Sequence, residues 1–332
     1  MKPKIAITIG DFNGIGPEII LKSILHPSVK KNIQPVLIGS VNIFEYYATL
    51  FKLDIKFTVV DTQKIPTTHH TVPVIEVQKV SPKQLQIGHN APDAGVCAGA
   101  AIERAIKLCM NHDVDAMVTA PVSKEALHYA GYNFPGQTEM LAMLTRSERV
   151  TMMLISPSMR IALATVHLPL KKVSENIFPE RIIEKLQTVD HSLKHDFGIS
   201  SPSIAVLGLN PHGGENGTIG TEEKEIIIPS LKKVQEKGIN VSGPFSADGF
   251  FASGRYQEFD AILAMYHDQG LIPLKMSGFD QGVNFSAGLK IIRTSPDHGT
   301  AFDIAGKGIA NPGSMIAAIN LATSIAKRRK AH

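Results

Sequence analysis

Three apolar runs decide the fold, and each stops at a histidine: Ile161-Ala162-Leu163-Ala164-Thr165-Val166-His167, Ile204-Ala205-Val206-Leu207-Gly208-Leu209-Asn210-Pro211-His212 and Ala261-Ile262-Leu263-Ala264-Met265-Tyr266-His267. Short continuous apolar runs closed by turn residues predict buried strands, the habit of a parallel sheet. Ligands of open α/β sheets lie beyond the carboxyl ends of the strands, so three histidines at three such ends are placed to converge. Neutral imidazole is the commonest protein ligand for zinc-like ions. Each ring taken alone is better read as capping carbonyls or facing solvent. The three together, two of them beside an Asp or Asn, favour a shared ion assembled by folding from distant parts of the chain.

Strand-like and helix-like segments alternate on either side of these runs. Strands are predicted at Ile5–Ile9, Pro35–Ile38, Asp115–Thr119, Thr151–Ile155 and Lys290–Ile292, with strand-like pieces in the less regular stretch Thr58–Ser81. Helices are predicted at Pro17–Leu25, Val41–Phe51, Asp93–Met110 (with Asp93 as N-cap), Thr138–Leu144, Glu180–Lys194, Glu222–Lys237 and Ser314–Lys327. Such alternation implies an α/β architecture with a largely parallel sheet. A chain of 332 residues exceeds the usual single core. It has no linker rich in Gly, Pro and Ser, so two lobes with more than one crossing between them are expected.

Composition narrows the function classes. Hydrophobic content of 43% with 19% charged residues is that of a compact soluble protein. The net charge of +4 is small, and the one basic run, Lys327-Arg328-Arg329-Lys330, reads as a solvated helix end. Aromatic residues are sparse at 6%, without Trp, which argues against a base-stacking platform and a nucleic-acid partner. Two cysteines, Cys97 and Cys109, are too few for a disulfide scaffold and suit a reducing compartment. The apolar run Ile5–Ile9 is too short for a signal-peptide core, and no stretch nears the roughly 20 residues needed to span a bilayer. A cytoplasmic protein without a membrane partner is expected.

Four segments carry chemistry. Gly10-Asp11-Phe12-Asn13-Gly14-Ile15-Gly16-Pro17-Glu18 lies between a strand and a helix, where glycines admit a ligand close to backbone amides and a helix N-terminus favours anions. Its spacing is not that of the G-x-G-x-x-G fingerprint. Asp297 to Pro312, with His298, Asp303, Asn311 and three glycines, suits a loop wrapping a nucleotide, or simply a glycine-rich turn before the last helix. Phe134-Pro135-Gly136-Gln137-Thr138-Glu139 sits at a helix start, where Gln137 or Thr138 can donate to an anion or Thr138 can act as N-cap. Lys275, Asn284 and Arg293 stand in a segment otherwise of Gly, Ser and apolar residues, as phosphate ligands or as surface residues.

Gly10-Asp11 with Gly14-Ile15-Gly16-Pro17-Glu18, Thr119-Ala120-Pro121-Val122-Ser123-Lys124, Asn210-Pro211-His212 and Tyr266-His267-Asp268-Gln269-Gly270 together resemble the 4-hydroxythreonine-4-phosphate dehydrogenases of vitamin B6 biosynthesis. The resemblance runs essentially end to end. It implies the two-lobed fold of isocitrate and isopropylmalate dehydrogenases, with mainly parallel sheets and a cleft between lobes. One lobe is then expected over 1–125 plus about 300–332. The other, over 126–299, would carry the metal ligands and a homodimer interface.

By the same resemblance, His167, His212 and His267 match divalent-metal ligands (zinc, magnesium or cobalt) shared across a homodimer. Gln137, Thr138, Lys275, Asn284 and Arg293 match substrate contacts, and His298, Asp303 and Asn311 match residues around NAD or NADP. Asp248 and Asp268 are candidates for orienting a histidine ligand or accepting a proton. The family usually reads G-H-T-E where this chain has Gly136-Gln137-Thr138-Glu139, and a glutamine carries no charge and is no acid or base.

The expected reaction is oxidation of 4-phosphooxy-L-threonine to a β-keto acid that decarboxylates to 3-amino-2-oxopropyl phosphate. The rivals are a related dehydrogenase of 4-phosphothreonate or an aromatic cis-dihydrodiol and, from another class, a metal-dependent hydrolase. The hydrolase would have no use for the 299–311 loop.

Overall fold

A computed structural model describes residues 2–61, 65, 70–134 and 136–331. Pro135 of the Phe134–Glu139 segment, and residues 62–64 and 66–69 within Thr58–Ser81, lie outside the described residues. The chain begins β1 (Lys4–Thr8), α1 (Gly16–Leu25), α2 (Pro27–Lys30), β2 (Gln34–Gly39), α3 (Val41–Leu50), β3 (Phe57–Val59) and β4 (Val72–Glu76). Then come α4 (Pro92–Met110), β5 (Ala116–Thr119), α5 (Lys124–Tyr129), α6 (Gln137–Thr145), β6 (Thr151–Ile155), β7 (Arg160–Leu163), α7 (Pro179–His195) and β8 (Ser203–Leu207). The rest is α8 (Ile228–Gln235), β9 (Asn240–Phe245), α9 (Ala247–Ala252), β10 (Ala261–Ala264), α10 (His267–Gly278), β11 (Val283–Ala287), β12 (Arg293–Pro296) and α11 (Gly313–Ala331).

Two compact units form: Met1–Arg146 with Lys290–Ala331, and Ser147–Leu289. In the first, strands run in the order β3-β4-β2-β1-β5-β12, every pair parallel. The apolar positions of β1 and β2 are wholly buried because helices cover the sheet: α4 packs on β1, β2 and β5, and α11 on β5 and β12. Segments 126–146 and 290–299, expected in the second lobe, cluster here, since α6 packs on α4 and β12 pairs with β5.

The second unit orders its strands β11-β6-β7-β10-β8-β9. β7, β10, β8 and β9 are parallel, while β6 runs antiparallel to both β7 and β11. One face is buried by Leu154, Ile161, Leu163, Ala205, Leu207 and Ile262 with Leu271 and Leu274 of α10. Gly270 makes this packing possible: a Cβ there would lie 2.7 Å from Ile161 Cγ2.

Several local expectations shift. The N-cap of α4 is Ala91, with Pro92 in the first turn, so Asp93 sits inside the helix and accepts from Gln84 Nε2 at 3.1 Å. Gly136 caps α6, which puts Thr138 in its first turn. The apolar 290–292 is not a strand; the strand is Arg293-Thr294-Ser295-Pro296, polar yet buried, with Thr294 Oγ1 donating to the Ala318 carbonyl at 2.8 Å. The helix predicted from Glu222 opens with a π-helical turn, Glu223–Ile227. Among the described residues no helix is long and apolar enough to cross a membrane.

Candidate active site

β7, β10 and β8 are adjacent and parallel, so their carboxyl ends share one edge of the second unit. His167 follows β7, His267 opens α10 directly after β10, and His212 lies in the loop after β8. The His167 and His267 rings have centroids 6.0 Å apart. His267 Nδ1 is 2.7 Å from Asp268 Oδ1, an arrangement that orients the imidazole and presents Nε2. Asp248 neighbours His212. Its carboxyl is held below the usual range by the Ser246 hydroxyl at 2.6 Å, by the Gly249 amide and by His212. Each candidate acid therefore attends one histidine.

His212 stands in unusual backbone. Residues His212, Gly213, Gly214, Glu215 and Asn216 all have positive φ, 53° at His212, where non-glycine residues are costly and persist only when their surroundings hold them. Glu223, 3% exposed, does this holding. Its Oε1 accepts from the amides of Leu209 and Asn210, both at 2.7 Å, and its Oε2 accepts from Asn210 Nδ2 at 2.9 Å. Glu222 Oε2 accepts from the same Asn210 amide at 2.7 Å. Gln269 ties the neighbouring strand ends: Oε1 accepts from the Met265 amide and Nε2 donates to the Gly208 carbonyl, each at 2.7 Å. Neither Glu223 nor Gln269 was singled out from sequence. An acid in a first helical turn and a glutamine in a recognised motif were the only signals available. Lys275 is exposed on α10, and Asn284 of β11 has a buried Oδ1 with no partner among the described residues.

In the first unit Arg293, at the start of β12, is only 2% exposed. It donates to Thr119 Oγ1 from Nε at 3.1 Å and from Nη2 at 2.7 Å, and Nη2 also donates to Gln137 Oε1. The structure thus joins Arg293 and Gln137, both expected to touch substrate, through Thr119. Burial lowers the Arg293 guanidinium to about 10, which still leaves it charged at neutral pH.

The two glycine-rich segments, read separately in the sequence, form one body. The Ile15 amide donates to the Thr300 carbonyl at 2.9 Å, and a Cβ on Gly14 would come within 2.7 Å of that oxygen. Buried Glu18 accepts at Oε1 from Lys22 Nζ at 2.7 Å and from the Ala310 amide at 2.8 Å, while Lys22 also donates to the Gly308 carbonyl at 2.8 Å. Asn311 Oδ1 accepts from the Gly313 amide at 2.9 Å, Asp303 is exposed, and His298 Nδ1 lies 3.1 Å from the Gly299 carbonyl.

These segments fit a polar ligand. Asp11 Oδ2, Asn13 Nδ2 and His298 Nε2 are buried without a partner among the described residues, and buried polar atoms are normally satisfied. Burial pushes the Asp11 carboxyl up to about 6 against the pull of the Asn13 and Gly14 amides. The histidine edge fits a divalent ion in donor type. Two imidazoles on one tetrahedral ion would stand about 5 Å apart, near the 6.0 Å observed for His167 and His267. Among the described residues no group of three His, Cys, Asp or Glu is gathered closely enough to hold an ion.

Comparison with known proteins gives one family. The family model described as pyridoxal phosphate biosynthetic protein PdxA matches residues 31–322. A 4-hydroxythreonine-4-phosphate dehydrogenase of Bacteroides thetaiotaomicron is 42% identical over 330 residues, covering 99% of this chain and 90% of the relative. A D-threonate 4-phosphate dehydrogenase of Cupriavidus necator is also 42% identical, over 332 residues and 98% of each chain. The crystal structure of the Klebsiella pneumoniae 4-hydroxythreonine-4-phosphate dehydrogenase superposes with a TM-score of 0.87 at 39% identity, over 98% of this chain and 100% of that one. The motif segments, the α/β fold and these matches agree, and the chain belongs to the PdxA family.

Proposed function

We propose that this chain is an NAD(P)-linked, metal-dependent dehydrogenase that oxidises the 3-hydroxyl of 4-phosphooxy-L-threonine, giving a β-keto acid that loses carbon dioxide. What supports this most is full-length similarity to relatives named for that activity, and the dehydrogenase class displaces the hydrolase alternative. His167, His212 and His267 would hold the divalent ion, whose chemistry when bound is to lower the pKa of a hydroxyl. His298, Asp303, Asn311 and the interlocked 10–18 segment would hold the dinucleotide, whose chemistry when bound would be to take up a hydride.

The chain's own groups do the rest. Asp268 fixes His267 through Nδ1. Asp248, ionised across the neutral range, is placed to take a proton near His212. Gln137, Thr138, Lys275, Asn284 and Arg293 orient the anionic ends of the substrate. The enzyme acts as a cytoplasmic homodimer, with the metal ligands shared between protomers.

A second reading, oxidation of 4-phospho-D-threonate, is favoured by a specific observation: the Cupriavidus necator relative so named is as similar as the first. One experiment tests both. NADH formation is followed with NAD and each substrate, with and without chelator. Turnover of 4-phosphooxy-L-threonine that stops on chelation is expected; selective turnover of the threonate replaces the first reading, and turnover of neither ends both.

A further inference from the structure

Thr119 Oγ1 and Gln137 Oε1 spend all their hydrogen-bonding capacity on one another and on Arg293. A threonine hydroxyl has one hydrogen and two lone pairs, a carboxamide oxygen has two lone pairs, and a guanidinium only donates. Thr119 Oγ1 accepts from Arg293 Nε and Nη2 and gives its hydrogen to Gln137 Oε1 at 3.1 Å. Gln137 Oε1 takes a second hydrogen from Arg293 Nη2. Hydroxyl and amide oxygen are then saturated. Turning the Gln137 amide over would set its NH2 against a buried guanidinium, donor facing donor, so its orientation is fixed. What remains on Gln137 is Nε2 with two hydrogens, on a side chain that is only partly buried.

We propose that Gln137 is a donor-only, uncharged recognition group for an anionic oxygen on the substrate, with Thr119 and Arg293 as the residues that position it. This rests on the reading that Gln137 contacts substrate, and it assigns a role to Thr119 that the sequence did not suggest. The group recognised is a carboxylate or phosphoryl oxygen. A substrate presenting an N–H or O–H donor there meets two donors and is rejected.

The test measures calorimetric affinity for 4-phosphooxy-L-threonine, alongside kcat and KM with NAD, in wild type, Gln137→Met, Thr119→Val and Thr119→Ser. Loss of a hydrogen bond to a charged group predicts affinity weakened about tenfold or more in Gln137→Met, with KM moving more than kcat. Thr119→Val should lose several-fold and Thr119→Ser recover it, a rescue that general loss of packing would not show. Should the buried Thr119→Val fail to fold, Gln137→Met carries the test alone. Repeating the titration with 4-hydroxy-L-threonine, which lacks the phosphoryl group, and with 3-amino-2-hydroxypropyl phosphate, which lacks the carboxylate, identifies the recognised oxygen, because the Gln137→Met penalty vanishes for the analogue lacking it. Gln137→Met binding within twofold of wild type, Thr119→Ser behaving as a folded Thr119→Val, or no binding by wild type overturns the proposal. Binding with this pattern but no NADH from either substrate upholds it while removing the functional reading.

Discussion

Gln269 Nε2 donates to the carbonyl of Gly208 at 2.7 Å, so one side chain at the start of α10 fastens the end of β8. Its Oε1 accepts from Met265 at the end of β10, so this side chain ties together the two strand ends that lead to His212 and His267. Gln269→Met keeps the volume but strands a backbone N–H and a carbonyl. Each buried unsatisfied group costs about 1–3 kcal/mol, so the melting temperature should fall by several degrees and turnover with it. A variant with wild-type melting and wild-type kcat/KM would show that this fastening is dispensable.

His212→Ala separates chemistry from folding. The ring is exposed and makes no hydrogen bond among the described residues, so stability should stay within about 0.5 kcal/mol of wild type. Turnover should nearly vanish, and chelation should reduce wild type to the same level. The measurements are NADH formation before and after metal stripping and a urea melt. Near-normal NADH production by stripped His212→Ala would take both the ring and the ion out of the reaction.

Much of this edge was legible in the chain. Thr151–Ile155 is a strand as read, and the runs before His167, His212 and His267 are β7, β8 and β10, because buried parallel strands leave an unmistakable apolar signature. What holds the edge was not legible. Glu223 reaches Leu209 and Asn210, and Arg293 reaches Thr119, 174 residues away; such partners are created only by the tertiary fold. Arg293–Pro296 was missed as a strand for a related reason. Its polar side chains are buried because Thr119 and the Ala318 carbonyl satisfy them, whereas hydropathy alone favoured its apolar neighbours Ile291 and Ile292.

Asp11 makes stability depend on pH with a definite sign. Its ordinary value of 3.8 is pushed up to about 6 by burial in the folded chain. Between those values the folded chain keeps a proton that the unfolded chain has released, so lowering the pH favours folding. That stability drains away as pH rises through the window, and the full cost, about 3 kcal/mol, is felt above about pH 7. Asp11→Asn, which retains an oxygen for the Asn13 amide, should be more stable than wild type at pH 7.5. Its advantage should fall to about half near pH 5. Urea melts at the two pH values decide it: an unchanged difference between the two proteins would mean that Asp11 does not titrate in this range.

Gly270→Ala tests whether the closeness of α10 to β7 matters for the site. The added methyl carbon would meet Ile161 Cγ2 at 2.7 Å, Leu163 Cδ2 at 3.1 Å and Ala264 Cβ at 3.2 Å, all of them in wholly or nearly wholly buried strand residues. Overpacking of this kind costs about 1–3 kcal/mol, and the least resisted response is for α10 to lift from the sheet. His267 begins that helix and Gln269 lies within it, so lifting moves a proposed metal ligand and loosens the fastening to Gly208 together. The variant should therefore lose metal affinity out of proportion to its loss of stability, read by metal titration of the folded protein below its melting temperature. A destabilised Gly270→Ala that binds metal as wild type does would show that the strands yield instead of the helix, and that the place of His267 is set by β10 alone.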